Sequence, residues 1–141
     1  YEDADVLVSL PRYVRKWGQV TVTPKRHVTS YSEVDPRVWR RVNDLGHAAA
    51  TMVERVRRPK RVILASTGSA AGELVNSSTH LHLHVIPLYD SDDRPADVFS
   101  WQSGIYVGTA HEWDVLKEEY GAYGEGFSGF ASTTNGGSSL A

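Results

Sequence analysis

The chain has 141 residues, 40% apolar and 23% charged, which is enough for one domain with a single core and far from the composition of a disordered chain. Fifteen Lys plus Arg against seventeen Asp plus Glu leave a formal charge of -2, which excludes the global positive field that attracts nucleic acid nonspecifically. The absence of cysteine excludes disulfides, a thiol nucleophile and thiolate metal sites, and no apolar run approaches the ~18 residues of a membrane span. With no secretory signal visible, the expectation is a cytoplasmic enzyme or binding protein.

Asp5 to Leu10 is short and rich in β-branched residues and stops at Pro11, which reads as a strand. Trp17 to Pro24 alternates with a period of two, Val20 and Val22 on one face and Thr21 and Thr23 on the other, which predicts a second strand that pairs with the first as a hairpin. Ser32 or Asp35 is placed to cap a helix with Pro36 in its first turn. Val38, Val42, Leu45, Ala49, Met52 and Val56 then advance by alternate fours and threes, so they form one stripe of a long helix ending near Arg57 or Arg58, before Pro59. Its arginines read as a solvated face, and His47 as a surface or packing residue. Arg61 to Ala65 is a third strand, apolar enough to be buried on both faces. Ser66 to Thr79 is a loop of small and polar residues, and His80 to Ile86 is a fourth strand stopped by Pro87. A charged turn at Asp90 to Pro95 leads to a further strand in Val98 to Val107. A short amphipathic segment then turns Trp113, Leu116 and Tyr120 one way. From Gly121 onward the chain is a Gly/Ser/Thr-rich tail whose aromatics imply docking on the domain or on a partner protomer.

Six histidines stand in the chain, three of them within five positions. On a strand His80, His82 and His84 project from one side, ~6.5 to 7 Å apart, while Leu81, Leu83 and Val85 project from the other. Three adjacent imidazoles lower one another's pKa, so at least one is neutral at physiological pH and able to act as a nucleophile or a metal ligand. A merely structural row would need three separate hydrogen-bond partners on one face. Two functional readings follow from the residues: a metal site completed by His27, His111 or Asp90, or phosphorus chemistry in which a neutral imidazole attacks and neighbouring groups stabilise the developing charge.

The run His80-Leu81-His82-Leu83-His84-Val85-Ile86-Pro87 resembles the His-x-His-x-His signature of the histidine triad (HIT) family of nucleotide hydrolases and transferases. Tyr1 to Val8 is similar to that family's acidic entry to its first strand, and Gly18 to His27 to its second strand ending in Pro-Lys-x-His. The resemblance covers Tyr1 to about Tyr89. It implies an α+β fold, an antiparallel meander of about five strands with a long helix packed on it, over a domain spanning 1–120 and followed by the tail at 121–141.

It further implies catalysis by His82, His84, His80 and His27. His82 matches the nucleophile that forms a covalent nucleotidyl intermediate, His84 the histidine that contacts phosphate and helps protonate the leaving group, and His80 the one that supports the middle ring. Asn76, Ser77 and Ser78 fall in the region that holds phosphate oxygens. The implied partners are a small nucleotide-like substrate and a second copy of the chain in a homodimer, with no cofactor, no structural metal, no membrane and no nonspecific nucleic acid. The pattern departs from the family at Leu10-Pro11-Arg12-Tyr13-Val14, where members carry Leu-Asp-Ile-Asn-Pro with an Asp that accepts the ribose hydroxyls. That leaves Arg12, Tyr13, Arg15 or Trp17 to shape the pocket for an extra phosphate or a non-ribose group. The loop before the triad is also longer than the usual Gly-Gln-x-x-x lead. A catalytically altered binding protein of the same fold, and a metal-dependent enzyme using the histidine strand as ligands, are the alternatives.

Overall fold

A computed structural model describes residues 1–66, 68 and 80–132, the side chains of 124–132 excepted. In chain order the elements are β1 (Val6–Ser9), β2 (Val20–Pro24), α1 (Pro36–Arg57), β3 (Arg61–Ala65), β4 (Leu83–Leu88), α2 (Pro95–Phe99) and α3 (Ala110–Ser132). The four strands form one antiparallel sheet in the order β1-β2-β4-β3, so β4 is inserted between β2 and β3.

The valines of β1 and β2 alternate with polar residues as expected, and Val8 pairs with Val22 across the predicted hairpin. Val6, Val8, Val20, Val22, Leu83 and Val85 turn to the face that α1 covers with Val42, Leu45, Ala49, Met52 and Val53. Each such fully buried side chain contributes about 1.5–3 kcal/mol by leaving water, which anchors the helix to the sheet. Asp35 caps α1 by accepting a hydrogen bond from the Arg37 N–H at 2.8 Å, with Pro36 at the first helical position. The helix ends on Arg58 in the left-handed conformation. Gly46 in its middle admits Leu83, whose Cδ2 would lie 2.5 Å from any Cβ there.

The expected solvated face holds for Arg37 and Arg40, both exposed, but not for Arg41. Its Nε lies 2.8 Å from Asp3, whose carboxylate is fully buried and also accepts the N–H groups of Asp5 and Val6. This ion pair ties the chain's start to α1.

Three expectations about strands are corrected. β3 is not buried on both faces: among the described strands it lies at the sheet edge, and Leu64 is 46% exposed. The fourth strand begins at Leu83 and not at His80, since extending the β2–β4 register upstream reaches Pro24, which brings no N–H to a ladder. Leu81 instead donates to the Val28 carbonyl at 2.8 Å. Val98 to Val107 is not a fifth strand: Pro95 starts the short helix α2, and the backbone then passes through positive φ at Trp101 (69°) and Gly104 (94°), leaving a single bridge between Tyr106 and Val14.

Thr109 and Glu112 form a reciprocal cap at the start of α3, Thr109 Oγ1 accepting from the Glu112 N–H at 3.1 Å and the carboxylate accepting from the Thr109 N–H at 2.9 Å. Leu116 and Tyr120 are buried against the core beside Trp113, as their spacing predicts. The helix runs on past Gly121, where the sequence reading places the start of a tail, and Arg55 reaches the Tyr123 hydroxyl at 3.1 Å. Two phenols, one just after β4 and one in α3, hold the corner before β2. The Tyr89 hydroxyl donates to the Trp17 carbonyl, and the Tyr120 hydroxyl to the Gly18 carbonyl at 2.6 Å, Gly18 itself adopting φ of 96°. Among the described residues no helix is long and apolar enough to cross a membrane.

Candidate active site

The face of the sheet turned away from α1 carries Gln19, Thr21 and Thr23 of β2 and its approach, with His84 beside them on β4. Together with His80, His82, Pro11, Tyr13, Arg15 and Trp101 these residues line a cavity of about 230 Å³. His80, His82 and His84 therefore share one face as the alternation predicts, although regular pairing begins only after His82.

A chain of hydrogen bonds fixes the imidazole tautomers. The Arg15 backbone N–H donates to Gln19 Oε1 at 3.0 Å, which sets the orientation of the amide and leaves its NH2 end facing His84 Nδ1 at 3.1 Å. His84 Nδ1 is thus an acceptor, and the proton of the neutral ring sits on Nε2. That nitrogen is 2.9 Å from His82 Nε2, which accepts, so His82 carries its own proton on Nδ1 and donates it to the His80 carbonyl at 2.6 Å. Every link points the same way, and its end result is a lone pair on His82 Nε2 at the cavity wall.

The electrostatics favour this neutral state. Burial pushes the His84 pKa from 6.5 down to about 3, with the charges of His82 and Arg15 adding to the effect. His82 is also held below the ordinary histidine value, chiefly by burial and further by the neighbouring Arg15 and His80, against the opposing pull of its bond to the His80 carbonyl.

The other expected site residues are distributed less evenly. His27 is exposed and stacks on His80, with ring centroids 4.9 Å apart, outside the cavity wall. Tyr13 lines the cavity with its side of the ring half exposed. Arg12, adjacent in sequence, turns instead into a separate groove with Leu10, Trp113, Asp114 and Lys117, the backbone bending at Arg12 and Tyr13. Asn76, Ser77 and Ser78 lie outside the described residues. His47 and His111 are exposed, away from the cavity. Among the described residues no group of three or more His, Asp or Glu is placed to hold a metal ion.

Gln19 is the functional residue that the sequence reading passed over. Its signal was present in the parity of β2: position 19 shares the face of Thr21 and Thr23, opposite Val20 and Val22. Trp101, from the segment after α2, also belongs to the cavity wall.

The HIT domain profile matches residues 1–91. Among curated proteins none matches the chain by sequence. Among solved structures, the fold is similar to a hypothetical histidine triad nucleotide-binding protein from Sulfolobus tokodaii, with a TM-score of 0.72 at 21% identity over 97% of this chain and 89% of that one. It is also similar to a Hit-like protein involved in cell-cycle regulation from Bartonella henselae, with a TM-score of 0.67 at 18% identity over 85% and 81% of the two chains. A zinc-bound histidine triad family protein from Mycobacterium smegmatis gives a TM-score of 0.65 at 18% identity, over 89% and 85%. With the profile match spanning well over half its length and the triad assembled on one wall, the chain belongs to the HIT domain family.

Proposed function

We propose that this protein is a nucleotide hydrolase or nucleotidyl transferase acting at a phosphorus centre through a covalent intermediate on His82. The observation that carries the reading is the directed hydrogen-bond chain that leaves His82 Nε2 as an unprotonated lone pair in the cavity. When a phosphoryl group enters, the His84 Nε2–H transfers its hydrogen bond from His82 to a phosphoryl oxygen, and the freed Nε2 of His82 attacks phosphorus. A P–N bond forms while the bond to the leaving group breaks, and the leaving group takes up a proton from solvent at the cavity mouth. The Nδ1–H bond to the His80 carbonyl stabilises the positive charge that the ring acquires once Nε2 is bonded to phosphorus. Water or another acceptor then attacks phosphorus, the P–N bond breaks, and the neutral ring is restored.

The likeness to the Sulfolobus histidine triad nucleotide-binding protein supports a nucleotide ligand here. Pro11 lines the wall where the family resemblance implies a ribose-binding carboxylate, which supports a second reading, a nucleotide-binding protein of the same fold without turnover. The reading extends to a cytoplasmic location and to a homodimer, the latter supported by β3 standing at the sheet edge with Leu64 exposed, and sedimentation velocity measures that association.

Incubation with a panel of nucleoside phosphoramidates and dinucleoside polyphosphates tests the catalytic reading. The expected result is turnover with a nucleotidyl-protein adduct, seen by mass spectrometry after acid-free quenching, both abolished in His82→Ala. Turnover that survives the substitution overturns the nucleophile, and AMP binding without turnover establishes the second reading.

A further inference from the structure

Arg15 is a buried cation without a counterion among the described residues. Its residue is 4% exposed, and its Nε donates to the Phe99 carbonyl at 2.9 Å. The guanidinium lies between two rings, 4.1 Å from the centroid of Trp101 and 5.0 Å from that of Phe99. Among the described residues no carboxylate pairs with it. Burying an unpaired charge costs several kcal/mol, so a fold that keeps one obtains its compensation elsewhere. Burial lowers the Arg15 pKa only to about 10, and the group remains cationic at neutral pH.

Its surroundings are built around it. Trp101 holds φ of 69°, a conformation that bulky residues rarely adopt and that persists where neighbouring structure over-determines it. The same ring buries its indole N–H with no acceptor among the described residues. These costs are accepted in the segment that stacks on Arg15, on the wall of the cavity that holds His82 and His84.

We propose that Arg15 receives a second oxyanion of the substrate, so that the substrate class is a nucleotide-like diphosphate or longer phosphate chain: one phosphoryl group against His82 and His84, the next on the guanidinium. This deepens the proposed function and rests on its placement of the attacked phosphate. The planar fork of Arg suits two phosphate oxygens at once, whereas the Pro11 and Tyr13 side chains of the same wall offer no charge. Volume points the same way. About 230 Å³ falls below the ~300–1,000 Å³ of pockets that enclose a whole drug-sized ligand, so the cavity takes the phosphate portion and leaves the nucleoside at its mouth.

Calorimetric titration of the full chain with AMP and with ADP tests the assignment, the quantity read being the ratio of the two affinities. One further charge-assisted pair gives ADP an advantage of about ten- to a hundredfold in the unmodified protein. Arg15→Met collapses the ratio toward one, and Arg15→Lys restores part of it, which keeps the test intact if the methionine variant fails to fold. A purely structural arginine lowers both affinities together and leaves the ratio standing. A ratio near one in the unmodified protein, or one that Arg15→Met and Arg15→Lys both preserve, overturns the proposal. The catalytic reading fails separately: an Arg15-dependent ratio with no adduct on His82 sinks the nucleophile and spares the anion site, while an adduct without that ratio does the reverse.

Discussion

Gln19→Glu reverses one hydrogen bond while leaving the shape of the site nearly unchanged. In the native protein the amide accepts from the Arg15 N–H and donates to His84 Nδ1. A carboxylate at that position still accepts from Arg15 but has nothing to donate, so His84 must place a proton on Nδ1. Opposite unit charges about 4 Å apart at an effective dielectric of about 20 interact by about 4 kcal/mol, or about 3 pKa units. That lifts His84 from about 3 back toward its ordinary 6.5, less whatever the Arg15 charge absorbs. At pH 7.5 the neutral ring then carries Nδ1–H and a bare Nε2, which confronts the lone pair of His82 and offers no donor to a phosphoryl oxygen. Removing one such donor costs about a hundred- to a thousandfold in turnover. Below about pH 6 the ring becomes cationic, regains its Nε2–H, and part of the activity returns. Long-range proton–nitrogen NMR of the imidazoles reads the tautomers directly: Nε2–H on His84 and Nδ1–H on His82 in the native protein, Nδ1–H on His84 in the variant. A variant whose His84 keeps the Nε2–H pattern, or whose pH profile superposes on the native one, refutes the directed chain.

Other expectations follow from the same structure. His82 and His84 have folded pKa values below the ordinary 6.5, so the unfolded chain binds more protons below that pH. These two groups therefore add no pH dependence above about pH 7, and their contribution to stability falls as the pH drops below 6.5, that of His84 down to about pH 3 with a slope approaching about 1.4 kcal/mol per pH unit; urea unfolding in His84→Asn shows a shallower fall, and equal slopes in the two proteins count against it. Asp3→Asn leaves Arg41 without its carboxylate and costs about 3 kcal/mol, measurable as a lower urea midpoint, whereas a change under 1 kcal/mol shows the pair to be dispensable. Gly46→Ala gains helix propensity of about 1 kcal/mol but forces a Cβ to within 2.5 Å of the buried Leu83, so the net effect is a loss of about 1 kcal/mol rather than a gain in melting temperature.

Most of the architecture was legible because local rules and tertiary structure agree where elements are long or strictly periodic. The valine alternation of β1 and β2, the cap and stripe of α1, and the shared face of the three histidines all follow from periods of 2 and 3.6. The errors came from positions whose state depends on partners distant in sequence. Apolar character alone cannot distinguish an edge strand from a central one, so β3 read as doubly covered although β4 takes the interior place. Val98 to Val107 has β-branched residues, but Pro95 and two positive-φ positions set its path. At the site, the histidines announced themselves by spacing. Gln19 did not, because a glutamine acquires its function only from the two groups it happens to bridge, one of them 65 positions away. Arg12 and Arg15 looked equivalent in a basic segment, and burial against Phe99 and Trp101 separates them.

The two phenols that grip the Trp17–Gly18 corner bear on where this protein's working unit ends. The family profile stops at residue 91, yet Tyr120 of α3 clamps the peptide immediately before Gln19, and the rings that sandwich Arg15 come from positions 99 and 101. The downstream segments therefore act as a brace rather than an appendage. Residues that lie beyond the stretch matched by the family profile thus set the position of groups in the cavity that holds the triad.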